Sequence, residues 1–591
     1  MTERISDAVE LTNFSVPPTI YTDDGIEQVE VFSASAEKQK LSLLYRKGFI
    51  NGKETIKAVE LKVTGELPKW LSGEYFTVGP GTYDVKYNRM IETNGGFETG
   101  TTTFSMGHWF DGLPLVNRFA LDGANNKINY RSKLTSKKFE TKIREHHGIV
   151  TRHPFSLFKT HPNQTPLAKF LGKKRTNKPE LEPCSASINN NFPFSNPGEK
   201  PKIYCQNHAS QIVELDAYDL TPLRVFSWDE IDPSFRGDHA SPHSHFDETT
   251  GELINFNMEY HPVATKYNFF SISEKCPKGQ LIASVMAKAS YVHSFSVTPR
   301  FIILVIFPFY GKNAGINFKW SDNILDSFVF KPEEPTLFYI ISREKKEHVA
   351  IYKSEACFAF HHVNAFEDEE DNLYLDLVCY DSEYIARYLT LENFRQGLPI
   401  RLPMAEVRRF ALLDIQRESI KYLNNPQVNQ STMASIFKRS SVYYSQQIPH
   451  PWPEANYVRC TDSALELPAI NPKLKRLKYR YVYGIGFSER AAKQVTEIWD
   501  SLIKNDLDAK EAVAMWSIDN CYPSEPVFVP RPGQDNDEDD GVVLSVVFDG
   551  ANVQSFLVVL DAKTMTELAR VELPQVVPLS FGHGTFKETS V

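Results

Sequence analysis

The feature that most constrains this chain is its punctuation. From Val59 onward, short apolar or alternating runs recur between Gly, Pro and Asp turns. Examples are Phe301–Phe307, Leu373–Val378, Val542–Val547 and Phe556–Leu560, all rich in β-branched and aromatic residues. Runs of this length and composition read as strands. Long amphipathic patterns are few; Met404–Tyr422 and Glu489–Lys504 are the best helix candidates, expected as insertions on a sheet core. A turn pattern also repeats. Leu215-Asp-Ala-Tyr-Asp-Leu-Thr-Pro-Leu223 matches Leu560-Asp-Ala-Lys-Thr-Met-Thr-Glu-Leu568 in register, and Phe246–Leu253 is a partial third copy. Each is a strand end, an Asp-led turn and the next strand start. Repeated hairpins of this kind over roughly 500 residues predict an all-β fold, a β-propeller.

Composition narrows the class. With 65 Lys+Arg against 74 Asp+Glu in 591 residues, the net charge of −9 argues against a nucleic-acid binder. The seven cysteines are scattered, odd in number and without a CxxC pair, which fits reduced thiols in an intracellular protein. The N-terminus has no apolar signal region, and no run reaches the ~18 apolar residues of a membrane span. Residues 1–40 are polar and read as an arm; 41–591 read as one propeller domain with insertions. The acidic run 535–540 reads as a solvated loop.

Of 16 histidines, four have contexts that point to chemistry. His243 lies in Ser241-Pro-His-Ser-His-Phe-Asp247. His293 heads the strand Phe301–Phe307. His361 lies in Phe360-His-His-Val-Asn364, and His583 in Phe581-Gly-His-Gly-Thr-Phe586. All four sit at strand ends. One end of each inner strand in a propeller points at the axis, so four such positions can converge on one metal. On a period-two strand His362 is expected to point away and His245 to share the inward face but sit further from the axis, His239 is an alternate, and His108 reads as packing beside Trp109 and Phe110.

With these motifs in view, the chain resembles the carotenoid cleavage oxygenases, in the branch of retinal-forming dioxygenases and the retinoid isomerohydrolase. The resemblance runs from about Leu67 to Phe586. Its markers are Leu67-Pro-Lys-Trp-Leu-Ser-Gly-Glu74, Gly79-Pro-Gly81, His108-Trp-Phe-Asp-Gly112, the four histidine contexts, Tyr522-Pro-Ser-Glu-Pro-Val-Phe-Val529, Asp539–Ser545 and the terminal His-Gly-Thr-Phe. It implies a seven-bladed β-propeller whose insertions cap an axial Fe(2+) held by His243, His293, His361 and His583. It further implies carboxylates at Glu466 and Glu525 that accept the outer N–H of ligand imidazoles. One departure matters: where the family carries a third Glu, counting back from Leu215-Asp216 reaches His208. The partner of one ligand histidine is then altered, and the sequence does not orient it.

The implied activity is cleavage of a carotenoid double bond by O2 into two aldehydes, centrally in β-carotene or a relative such as torulene, giving retinal-type products. No side chain beyond the metal centre is required as a catalyst. Apocarotenoid or stilbene cleavage, or an ester isomerohydrolase, are the alternatives that keep the iron; a non-enzymatic propeller scaffold is the alternative from another class. A Gly-x-Ser-x-Gly elbow, a P-loop and the WD signature are all absent. Within 153–200, the segment His153–Lys178 combines Phe155, Phe158, Leu167 and Phe170 with Lys159, Lys169, Lys173 and Arg175. Such a segment suits peripheral docking on a membrane surface. The expected location is therefore cytoplasmic and membrane-associated.

Overall fold

A computed structural model describes residues 43–591 except 94–95, 150–175, 195–198, 238, 262–263, 313–324, 398–400, 425–451, 495–496, 534–536 and 590–591. The arm predicted at 1–40 and most of the predicted docking segment therefore lie outside the described residues.

The strands assemble into seven antiparallel sheets of four to six strands, plus two separate two-stranded hairpins. The sheets are the blades of a propeller. Blade 1 joins the N-terminal strands Val59–Leu61, Ser72–Thr82, Leu113–Asp122 and Lys127–Leu134 to the last strand of the chain, His583–Glu588. Blades 2 to 6 follow in sequence, with innermost strands at Ser187–Asn189, His239–Ala240 continued by His245–Asp247, Ser296–Val297, His362–Glu367 and Glu466–Ala469. In blade 7 the inner edge is Cys521–Pro523 and Val527–Pro530. The ring is closed twice. The C-terminal strand pairs with Ser72–Thr82 in register Val78↔His583 to Gly73↔Glu588, and the early strand Val63–Gly65 pairs with Glu567–Glu572 on the outer side of blade 7.

The repeated turn has one physical form. Asp216 accepts from the N–H groups of Tyr218 and Asp219 at 2.8 and 3.0 Å, and Asp561 accepts from Lys563 and Thr564 at 3.0 and 2.9 Å. In each, the residue four positions on returns its N–H to the Asp carbonyl and adopts a left-handed backbone: Leu220 at φ +62° and Met565 at +58°. Asp506 builds the same turn, with Lys510 at +62°. Asp is favoured because its short carboxylate reaches two backbone donors without disturbing the strand before it. Between blades, apolar faces interlock; Phe338 meets Phe410 at 5.0 Å and Tyr483 meets Phe528 at 5.3 Å between ring centroids.

Both predicted long helices are corrected. Met404–Tyr422 contains the strand Glu406–Leu412 followed by the helix Ile415–Leu423, and Glu489–Lys504 contains the one-turn helix Glu489–Ala492 and the start of the buried strand Ser501–Asp506. Arginine made the first stretch look helical. In the fold, Arg409 forms a fork with Asp376 at 2.9 and 2.8 Å, and Arg408 pairs with Glu406 and Asp381. Paired guanidinium groups can occupy a strand that burial would otherwise forbid them.

Insertions roof one end of the axis. The turn Trp109–Asp111 and the helix Tyr384–Tyr388 meet there, Trp109 donating its backbone N–H to Leu389 at 2.9 Å. His108, 2% exposed, ties the roof together: one ring nitrogen donates to the Ala386 carbonyl at 2.8 Å and the other accepts the Phe110 N–H at 3.2 Å. A second ring proton would face that N–H. Burial accordingly pushes the His108 pKa down to about 4, against the opposing pull of the Ala386 carbonyl. The unfolded chain takes up this proton near pH ~6.5, so the stabilisation is complete above that pH and is lost as pH falls toward 4. The loss from this residue amounts to about 3 kcal/mol. Unfolding midpoints measured from pH 7 to 4 should fall less steeply in His108→Gln than in the parent chain.

Candidate metal centre

Six of the seven blades send a polar side chain to the same end of the axis from the head or a break of their inner strand. Proline makes several of these breaks, because it cannot donate to the ladder. Pro242 interrupts the inner strand of blade 3 and leaves His243 between its two pieces; Pro523 and Pro526 flank Glu525 in blade 7. His293 precedes the inner strand of blade 4, His361 that of blade 5, and Glu466 begins that of blade 6. His583 begins the closing strand of blade 1. Blade 2 contributes His208 from the turn between Lys202–Gln206 and Gln211–Asp216.

The structure brings the four predicted histidines together. Ligand nitrogens of His243, His361 and His583 all lie within 4.8 Å of one another. His293 joins them through His243, Nε2 to Nε2 at 2.9 Å, with its ring centroid 5.2 Å from that of His361. His293 and His583 are buried; His243 and His361 are half-buried where they face cavities.

Outer nitrogens are committed elsewhere. His361 Nδ1 donates to Glu466 Oε2 at 2.7 Å, and His583 Nδ1 to Glu525 Oε1 at 3.1 Å. The predicted carboxylates thus lie behind two of the four rings. Behind His293 Nδ1 is His208 Nε2 at 2.9 Å, which supplies the orientation that the sequence left open. With Nδ1 occupied, Nε2 of each ring points inward, and His361 Nε2 is buried without a hydrogen-bond partner. A buried nitrogen lone pair with no donor facing it, among other imidazoles, fits a bound divalent ion.

Electrostatics agree. His243 and His293 are held well below the ordinary imidazole range, first by burial and then by the neighbouring rings. Both are neutral at pH 7, the state a metal requires. Burial alone pushes His208 down to about 3. Burial would raise the Glu466 carboxyl, but His361, Tyr380 and the Leu467 N–H together hold it below its usual value. Their contacts are Tyr380 Oη to Glu466 Oε1 at 2.7 Å and Leu467 N to Glu466 Oε2 at 2.8 Å.

The remaining histidines have other duties. His245 Nε2 meets the Phe295 carbonyl at 2.8 Å, His362 Nδ1 meets Ser296 Oγ at 2.7 Å, and His239 Nδ1 meets Tyr260 Oη at 2.9 Å. Tyr380 was not anticipated. It lies two strands from any histidine motif, and only the pairing of Phe358 with Tyr380 beside His361 brings it to Glu466.

Two cavities meet at the imidazoles. His293, His361 and His583 face one walled by Trp109, Phe110, Tyr291, Phe360, Trp499 and Phe581 under the roof. His243 and His361 face the other, a polar channel that also contains Glu525, Lys475 and Arg476.

Backbone freedom places His583. Gly582 sits at φ +60°, and a Cβ there would lie 2.8 Å from Ser524 Cβ. Gly582→Ala combines left-handed strain with overpacking, so we expect a loss of about 1–3 kcal/mol in urea unfolding. An unchanged midpoint would show that this turn relaxes freely.

Comparison with known proteins places this geometry. The chain is 29% identical over 576 residues to a carotenoid dioxygenase of Neurospora crassa, covering 89% of this chain and 88% of that protein. It is 28% identical over 566 residues to the human beta,beta-carotene 15,15'-dioxygenase, covering 91% and 93%. A crystal structure of cobalt-substituted Synechocystis ACO, an apocarotenoid oxygenase, superposes with a TM-score of 0.69 at 19% identity, over 92% of this chain and 98% of that one. The model of the retinal pigment epithelial membrane protein (RPE65) family matches residues 49–588, nearly the whole propeller, and the chain therefore belongs to that family, the carotenoid cleavage oxygenases.

Proposed function

We propose that this chain is an iron-dependent oxygenase that cleaves a carotenoid double bond with O2 into two aldehydes, centrally in β-carotene or a relative such as torulene. One observation carries the reading: four imidazoles converge, three of them facing an aromatic cavity, with the outer nitrogens of His293, His361 and His583 held by other groups. His243, His293, His361 and His583 hold Fe(2+), with Glu466, Glu525 and His208 accepting the outer N–H groups. When bound, the iron supplies activation of dioxygen. The protein supplies the rest. The rings of Trp109, Phe110, Phe360 and Phe581 hold a polyene by apolar contact and exclude water, and its seating selects the bond that faces the histidines. Neither an acid nor a base is needed, because both oxygen atoms enter the products.

Residues 41–591 act as one catalytic unit, and residues 1–40 stand outside it. The apolar and basic residues of His153–Lys178 dock the chain on the cytoplasmic face of a membrane, where a carotenoid partitions. Among the described residues, no helix is long and apolar enough to cross a membrane.

Incubating the iron-loaded protein with a carotenoid panel under 18O2 tests the reading. Both aldehydes should carry label, read by mass before exchange with water. Products formed without label would instead identify an isomerohydrolase, and an iron-replete chain that turns over none of the panel would overturn the assignment.

A further inference from the structure

The outer partners of the imidazoles are not alike. His361 and His583 each rest on a carboxylate, whereas His293 rests on another imidazole. His208 is no passing neighbour. Its backbone carbonyl accepts the Ala240 N–H at 3.0 Å, which fixes blade 2 to blade 3. The side chain of Asn207 caps the turn by accepting the Ala209 N–H at 2.8 Å. The His208 ring lies 4.7 Å from that of His293 between centroids, and Tyr291 Oη lies 3.3 Å from His208 Nε2.

Chemistry assigns the hydrogens. A neutral imidazole carries one N–H. If His293 turns the Nε2 lone pair inward, its hydrogen must sit on Nδ1. His208 Nε2 must then accept, and the His208 hydrogen belongs on Nδ1. This arrangement fixes the direction of the His293 ring as an acceptor must, but it brings no negative charge. Glu466 and Glu525 stand behind His361 and His583, and no carboxylate stands behind His293.

We propose that His208 is a positioning residue that locks His293 in its metal-binding tautomer without placing a negative charge behind it. The proposal rests on the four-imidazole metal site above, and it makes His293 the one carboxylate-free arm among the three whose outer partners are resolved.

Three full-length variants test it: His208→Gln, a neutral acceptor; His208→Glu, the same shape with a charge; and His208→Leu, no acceptor. Two readouts are needed, Co(II) affinity by chelator competition and the Fe(III)/Fe(II) midpoint potential. His208→Gln should stay within about threefold of the parent affinity, and His208→Leu should bind about 10–100-fold more weakly. His208→Glu should bind at least about tenfold more tightly and lower the midpoint, by about 59 mV for each tenfold preference for the ferric form. Equal affinity and potential in His208→Gln and His208→Glu would overturn the charge argument, and this pair decides even if His208→Leu fails to fold. Parent-like affinity in a folded His208→Leu would overturn the positioning role. A parent chain that binds no metal would instead defeat the metal site itself.

Discussion

Replacing His583 with alanine should strip the protein of metal and of carotenoid turnover together while leaving the propeller folded. His583 is 6% exposed and supplies one of three nitrogens that lie within 4.8 Å of one another. Its backbone pairs with Val78 and does not depend on the ring, so the closing strand survives. Glu525 also survives as a satisfied group, because its second oxygen accepts the Gly584 N–H at 2.8 Å. The expected loss of metal affinity exceeds the about 10–100-fold that removal of an outer partner costs. His293→Ala should behave alike. The measurement is metal content per chain after purification, with turnover on the same sample. An iron-replete His293→Ala or His583→Ala protein of unchanged rate would end the case for these residues as ligands.

Glu466→Leu should have the largest combined effect on stability and affinity. The carboxylate is 4% exposed and accepts from His361 Nδ1, Tyr380 Oη and the Leu467 N–H, all within 2.8 Å. Leucine would leave three buried donors facing hydrocarbon. Each such orphan costs about 1–3 kcal/mol, and the set about 3–5 kcal/mol after relaxation. His361 would be free to turn, lowering metal affinity about 10–100-fold. Tyr380→Phe removes one donor and keeps the carboxylate on His361, so it should cost only about 1 kcal/mol. Urea unfolding of the metal-free forms separates the first effect from the second. A Glu466→Leu chain as stable as Tyr380→Phe would show that the three hydrogen bonds carry little.

Much of the fold was legible because its signals are local. Phe301–Ile306 and Gly541–Asp549 are strands whose composition announces them, and the Asp216 and Asp561 turns are written in adjacent residues. Glu406–Leu412 was misread because Arg408 and Arg409 favour a helix until Glu406, Asp381 and Asp376 arrive from elsewhere. Two of the strand-head histidines stand out for the same local reason: Pro242 marks the break at His243, and Gly582 and Gly584 flank His583. What lay beyond reach was contact between blades. That Tyr380 braces Glu466, and that His208 of blade 2 faces His293 of blade 4, depends on how distant chain segments meet around the ring.

The seam of the ring has a consequence for biosynthesis. Translation delivers residues 243, 293 and 361 well before the strand His583–Glu588, which both shuts the circle against Ser72–Thr82 and brings in the fourth imidazole. A ribosome-bound fragment or a product clipped upstream of that strand would have an unpaired edge and a three-nitrogen nest at once. Closure of the ring and arrival of the fourth imidazole thus fall on the same strand, so circular closure and the complete set of four rings come in a single event.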